Sequence, residues 1–564
     1  MLAVLSISAF AQEQPTTGTI NGRVINDRGE AMPGATIMLR AVGSFSSGRQ
    51  AISDPEGNFR FTGLEPSLYT VSGFAPAYVL QARESDGPPP IYRVGDSVRL
   101  EMVKGGVITG TVTNAAGEPV VGVRVRAVRI RDAKGETVRT AQFGSVERPT
   151  DDRGIYRIYG LAPGTYLVNA GGGFGQSYQF NAFDTDVPIY SPASTRDTAT
   201  ELLVRSGEET TADIRYRSDP GRTISGVVKV NGNQGASIQV ISSDGNFVPV
   251  ANPFQAPGAR GFAVTGLGDG EYTIYAQEMV VASASITAIP DLSMSDPKRI
   301  TIKGADVSGI ELVTKPLGVI KGVVVLEPSK APECQGKRKP VFTETLIEVQ
   351  RHEKDMESLA PFTRSLSNSM TLNEKGVFIQ RNVMPARYRF NPRFYARYWY
   401  LQSISLGAPA TIPANAKTPV PKNDAAATWT AIRSGEQVSN LTITLAEGAA
   451  SIRGKIVASE GATIPTNLAI YLVPAEREKA DDVLRYFVMD AASDGAFAFN
   501  NLPPGRYRVL AQNPAPAEAN STPKLRLPES SEARAKLRRA TETQKSDIEL
   551  KPCQTLADYQ LSFK

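Results

Sequence analysis

His352 is the only histidine among 564 residues, and that single count bounds the chemistry open to the chain. A catalytic zinc needs about three protein ligands, commonly including histidines, together with a general base. The segment His352-Glu353-Lys354-Asp355-Met356 lacks the second histidine of an H-E-x-x-H helix and reads as a solvated loop. A Ser-His-Asp triad would have to use the same histidine, and no G-x-S-x-G elbow surrounds a nearby serine. P-loop and dinucleotide fingerprints are missing from the sequence. Carboxylate-pair hydrolysis needs no histidine, but nothing in the order of residues brings two carboxylates to one cleft. The chain reads as a non-enzyme with no cofactor and no metal.

Other residues suit binding better. Asp54-Pro55-Glu56-Gly57-Asn58 and Asp151-Asp152-Arg153-Gly154 gather oxygens that calcium could use, yet Asp-x-x-Gly is also ordinary hairpin chemistry, which is the preferred reading. The densest aromatic run is Phe390-Asn391-Pro392-Arg393-Phe394-Tyr395-Ala396-Arg397-Tyr398-Trp399-Tyr400. Taken as one strand, it sends Phe394, Tyr398 and Tyr400 into a core and leaves Tyr395 and Trp399 outside. Exposed tyrosine and tryptophan faces stack on sugar rings, and Arg393 and Arg397 can bond hydroxyls or acidic groups. Tyr395, Trp399, Arg393 and Arg397 are therefore the candidate ligand-binding residues. Cys334 and Cys553 are the only cysteines, which excludes a disulfide-dense scaffold and a cysteine-rich zinc site. Spacing alone leaves open whether the two pair.

The elements that must hold these residues announce themselves by repetition. Glycine and an aromatic, then leucine or valine, then tyrosine recur five times: Gly57/Phe59/Leu64/Tyr69, Gly154/Tyr156/Leu161/Tyr166, a degraded Phe262/Leu267/Tyr272, Gly376/Phe378/Val383/Tyr388, and Gly495/Phe497/Leu502/Tyr507. The Asx-x-x-Gly part makes a hairpin turn, and aromatics two apart, such as Phe59 and Phe61 or Phe497 and Phe499, enter a core. The Leu-x-Pro-Gly-x-Tyr part turns into a further strand whose tyrosine packs its ring and bonds its hydroxyl locally. Each copy is preceded by a Gly-x-Val or Gly-x-Ile strand, at Gly22, Gly110, Gly226, Gly322 and Gly454. Residues 121 to 128 alternate, with the arginines at 124, 126 and 129 on a wet face. These landmarks place domains at 18–104, 105–218, 219–315, 316–447 and 448–564.

Length and composition agree with an all-β array. The chain is too long for one core; Gly 49, Pro 39 and 41% hydrophobic residues suit short strands and many turns. Lys+Arg 62 against Asp+Glu 57 leaves a net charge of +5, which makes no case for nucleic acid. Residues 1 to 11 form an apolar run ending in Ala9-Phe10-Ala11, an export signal without its basic start, and place the protein outside the cytoplasm: periplasmic, at the cell surface or extracellular. No later stretch approaches the roughly 20 apolar residues of a transmembrane helix. A short C-terminal helix is expected from Pro528-Glu529, with Ala533, Leu537 and Ala540 on one face, followed by a last strand from Ser546 to Leu550.

The phrase Asp-x-x-Gly-x-Phe-x-Phe-x-x-Leu-x-Pro-Gly-x-Tyr-x-Val after a Gly-x-Val strand resembles the carboxypeptidase regulatory-like domain. It matches best in the first, second and fifth units; Arg260 stands at the turn glycine in the third, and Asn382-Val383-Met384-Pro385-Ala386 replaces Leu-x-Pro-Gly in the fourth. The whole is similar to multidomain exported proteins of soil bacteria such as acidobacteria. The resemblance implies tandem transthyretin-like, Ig-like β-sandwiches of seven strands, close to carbohydrate-binding-like folds. It implies a polysaccharide or an envelope protein as partner. The rival expectation is a protein-interaction scaffold or an accessory of TonB-type uptake, because similar domains precede TonB-dependent receptors; the barrel of such a receptor is missing from the sequence.

Overall fold

The computed structural model describes residues 17–563 apart from 44–47, 82–89, 139–145, 173–181, 231–234, 244–247, 249, 251–253, 257, 259–260, 280–290, 353–354, 356–368, 408–424, 459–464, 466–467, 493, 514–529 and 543–546. The apolar N-terminal run with Ala9-Phe10-Ala11, Arg260 and Pro528-Glu529 lie outside the described residues. The chain packs as two compact units, one essentially residues 1–280 and 294–314, the other essentially 315–359 and 366–564. The first holds three β-sandwiches and the second holds two.

The five sandwiches share a pairing core, though the third runs its strands into one eight-stranded sheet and the fifth sets three strands against four. In the first, the strands are Gly18–Asn26, Thr36–Ala41, Arg49–Ile52, Asn58–Leu64, Leu68–Phe74, Tyr78–Leu80, Ile91–Arg93 and Ser97–Lys104. One sheet runs in the order fourth, first, eighth, sixth; the other runs third, second, fifth, seventh. The fourth sandwich repeats this order strand for strand, so both have eight strands where the resemblance implies seven. In every sandwich the opening strand pairs antiparallel with the aromatic strand and parallel with the closing strand. Each encloses its own apolar cluster.

The repeated phrase works as a unit because its parts touch. The opening glycine stands opposite the aromatic in every sandwich: Gly22 and Phe59, Gly110 and Tyr156, Gly226 and Phe262, Gly322 and Phe378, Gly454 and Phe497. A Cβ on Gly22 would lie 2.6 Å from the Phe59 ring and 2.1 Å from the Val98 carbonyl oxygen, so the ring lies where a side chain would be. Two residues on, the backbone N–H of Val24, Val112, Val324 or Ile456 donates to the carbonyl of the turn glycine Gly57, Gly154, Gly376 or Gly495. The turn itself is an Asx turn: Asp54 Oδ1 accepts from the backbone N–H of Glu56 and Asn58, and Asp151 Oδ1 from Arg153 and Ile155. Those bonds, with the Arg153 side chain, hold the Asp151 carboxyl below its ordinary range.

The corner tyrosine keeps its geometry even where the phrase has decayed. Tyr69, Tyr166, Tyr272, Tyr388 and Tyr507 donate their hydroxyls to the carbonyls of Glu65, Ala162, Gly268, Met384 and Pro503, each four residues back, at 2.7–2.9 Å. Burial raises the pKa of all five phenols, that of Tyr166 to about 12. A phenol whose folded pKa exceeds its unfolded value contributes stability that is complete below pH ~10 and fades as pH rises through the folded value. For Tyr166 the loss amounts to about 2–3 kcal/mol by pH ~12. The stability difference between the wild type and Tyr166→Phe should therefore be constant below pH ~10 and move in favour of the variant by about 2–3 kcal/mol as pH rises to ~12. Ionisation of Tyr166 in the native state with an ordinary midpoint, read by tyrosinate absorbance, would refute this.

Three local expectations need correction. Arg126 is 2% exposed, although it is on the outward face of Arg124–Arg131. Its guanidinium bonds Glu147 and the carbonyls of Gly171 and Gly172, which makes burial of the charge tolerable. The helix Ser531–Glu542, capped by Ser530 Oγ on the N–H of Ala533, buries Arg534, Leu537 and Thr541 in place of an Ala533–Leu537–Ala540 face. Leu537 packs there with Val473, Tyr486 and Leu510. Finally, Asp547–Leu550 is not the last strand; Thr555–Phe563 follows and pairs parallel with the opening strand Ala450–Ala458.

Candidate functional site

The aromatic run after Tyr388 is two strands, not one. Ala386–Arg393 belongs to one sheet of the fourth sandwich, and Trp399–Leu406 belongs to the other. Between them the chain crosses the sandwich, with the N–H of Trp399 donating to the Ala396 carbonyl at 3.2 Å. The crossing resets the phase of alternation. Trp399 consequently points inward, 0% exposed, in the cluster with Ile320, Phe378 and Leu445, and the expectation that it is an outside binding residue is corrected. Tyr395 is half-buried, as are Phe394, Tyr398 and Tyr400.

Tyr395 and Arg393 meet in a cleft of roughly 400 Å³ between the fourth and fifth sandwiches. Phe394, Asn391 and Leu401 continue the fourth sandwich's wall; Tyr486, Phe487, Asn500 and Asn501 stand on the fifth. The short 3-10 turn Val483–Arg485 completes the far side, started by the Asp482 carboxylate accepting from the Leu484 N–H at 3.1 Å. Arg393 donates to Glu348 at 2.8 Å, which raises the pKa of its guanidinium and fixes its direction. Arg397 is not on the cleft wall. It is exposed, with its guanidinium 5.9 Å from the Tyr398 ring centroid and 3.5 Å from Thr555 Oγ1 of the fifth sandwich.

The two walls are locked together. Asn501 Nδ2 donates to the carbonyls of Ala396 and Trp399 at 2.8 and 2.7 Å. Asn501 stands at φ +57°, the left-handed position that Gly63, Gly160 and Gly266 fill in the first three sandwiches. Asn382 takes it in the fourth at φ +60°, and its side chain accepts from the Leu292 N–H. Asparagine tolerates this backbone nearly as well as glycine and adds an amide that glycine lacks. Aligning the five copies of the phrase against one another would have exposed both residues in the sequence. The N–H groups of Gly448 and Ala449 bond the Tyr398 carbonyl, and Lys337 sits 4.8 Å over the Tyr398 ring. Cys334 and Cys553 are joined by a disulfide between the two sandwiches, which settles the pairing left open above.

The cleft offers ring faces, amides and one guanidinium, groups that stack and hydrogen-bond but do not supply a nucleophile with its base. The single histidine lies elsewhere, its ring 4.7 Å from Trp429 and its Nδ1 3.1 Å from Arg387. Among the described residues no group of three or more His, Cys, Asp or Glu side chains could hold a metal, and no helix is long and apolar enough to cross a membrane.

Fold and geometry together define a tandem β-sandwich array with a cleft at its last junction. Residues 19–89, most of the first sandwich, match the carboxypeptidase regulatory-like domain. Solved structures with similarity include the Bacillus anthracis TIE protein, 14% identical over 53% of this chain and 51% of that one, with a TM-score of 0.15. The chain thus spans about half of that protein. The minor pilin of Streptococcus agalactiae is 12% identical over 36% of this chain and 97% of its own, at a TM-score of 0.19. The shaft pilin of Lactobacillus rhamnosus GG is 13% identical over 36% and 99%, at 0.17. No curated protein matches the chain.

Proposed function

We propose that this is an exported, non-catalytic structural and binding protein whose cleft between the fourth and fifth sandwiches takes carbohydrate. The observation that carries the reading is the locked junction itself: Tyr395, Phe394, Asn391, Arg393 and Asn500 line walls held by a disulfide and by the Asn501 bonds, so little order has to be created on binding. The disulfide fits an oxidising compartment, in keeping with a periplasmic, surface or extracellular place. Repetition of sandwiches gives reach and several points of attachment. On a glycan array the full chain should give saturable binding that Tyr395→Ala weakens about tenfold without shifting its melting temperature. A silent array would sink the carbohydrate reading.

An envelope protein as partner is the second reading, and one observation favours it. Ile52 and Phe74, 70% and 63% exposed, flank Thr36 on one face of the first sandwich. Adjacent exposed side chains of this size mark docking surfaces more often than single ones do. A pull-down that retains one envelope protein and loses it in Ile52→Ser/Phe74→Ser would support it.

A further inference from the structure

The strand Ala386–Arg393 buries Tyr388, Phe390 and Pro392, which leaves Arg387, Arg389, Asn391 and Arg393 at successive outward positions. Alternate residues of a strand stand roughly 6.8 Å apart, so the three guanidinium-bearing positions span about 20 Å. The line ends in the cleft, where Asn391 and Arg393 are wall residues beside Tyr395. The neighbouring strand Leu346–Arg351 and the residues beyond the ends of the adjoining strands furnish the face with rings and braces. Arg389 lies 4.3 Å over the Trp429 ring, and His352 meets that ring edge-on. Asp355 accepts from Arg387 Nε and Nη2 at 3.0 and 2.9 Å, and Glu348 accepts from Arg393 and Asn391.

We propose that this face is a track for an acidic polysaccharide, which runs along Arg387, Arg389 and Arg393 and enters the cleft at Tyr395. The proposal rests on the cleft being a carbohydrate site and names the class of carbohydrate. Guanidinium groups bond carboxylates and sulfates in pairs, and a guanidinium already stacked on tryptophan or braced by a carboxylate loses less freedom on binding. Arg393 is 44% exposed in its side chain and spends one of its five donors on Glu348. Among the described residues, three arginines against two carboxylates give this face a positive balance, whereas the chain as a whole is close to balance at +5. A neutral glycan would gain nothing from that line of charge; guanidinium groups two and then four residues apart on one strand face match a ligand that carries several charges along its length.

The test compares polygalacturonate with its methyl ester, which keeps the sugar chain and removes the charge, using the full-length protein and calorimetry. Polygalacturonate should bind about tenfold more tightly than the ester, and Arg389→Gln and Arg393→Gln should each remove most of that difference with unchanged melting temperatures. Added salt should weaken the acid form alone. Equal binding of both forms, unaffected by Arg389→Gln, overturns the track and leaves the cleft reading standing. Acid-form binding that falls with Arg389→Gln but ignores Tyr395→Ala supports the track and removes the cleft. Duplex DNA bound as tightly as polygalacturonate overturns the proposal in favour of an unspecific polyanion face. Should Arg389→Gln misfold, the comparison of acid and ester on the wild type and Arg393→Gln decides the matter.

Discussion

Trp399→Ala should lower the stability of the fourth sandwich by about 3–5 kcal/mol, the usual cost of deleting a fully enclosed aromatic. The indole fills the space between the two sheets beside Ile320, Phe378 and Leu445. Both tryptophans of the chain, Trp399 and Trp429, belong to this sandwich, so intrinsic fluorescence during urea unfolding reports on it alone. In the variant Trp429 still reports. Tyr395→Ala, on the cleft wall, should move the midpoint by less than about 1 kcal/mol. A binding defect in Trp399→Ala would then be a packing defect, and the two variants separate the roles. An unchanged midpoint in Trp399→Ala would contradict its placement in the core.

Removal of the Cys334–Cys553 disulfide, by Cys334→Ser/Cys553→Ser, should cost about 2–5 kcal/mol and loosen the cleft. The crosslink closes a separation of 219 residues, so the unfolded chain regains much freedom when it is cut. The upper end of that range applies if the junction depends on the disulfide. The lower end applies if the Asn501, Gly448 and Ala449 bonds to the Ala396–Trp399 turn hold it without help. The tryptophan signal again reads the fourth sandwich, and limited proteolysis of the junction around Gly448 reads the docking. Cys334 is fully buried, so the double serine variant is a cleaner probe than a reducing agent. Identical unfolding midpoints and identical proteolysis for variant and wild type would show that the crosslink is idle.

Much of the fold is legible from residue order because its rules are either local or repeated. The Asx turn and the tyrosine bonded four residues back are local, and the glycine facing an aromatic of a non-adjacent strand recurs in every copy. Those rules place Phe59, Tyr156, Phe378 and Phe497 in cores and give each sandwich its corner, even in the third and fourth copies where the phrase has decayed. The cleft itself was not legible. Arg393 and Tyr395 line it, Trp399 is turned inward, and Arg397 lies at the outer junction. Alternation predicts a face only while the chain stays in one sheet, and the crossing at 394–398 broke the count. Arg126 on its wet face, the closing strand Thr555–Phe563, the disulfide and the Asn501 latch share one cause. Each depends on partners far away in the chain, and no local period encodes such a partner. Local turn chemistry and strand period set the repeating sandwich. Which sandwich touches which, and so where a cleft opens, is decided by long-range packing.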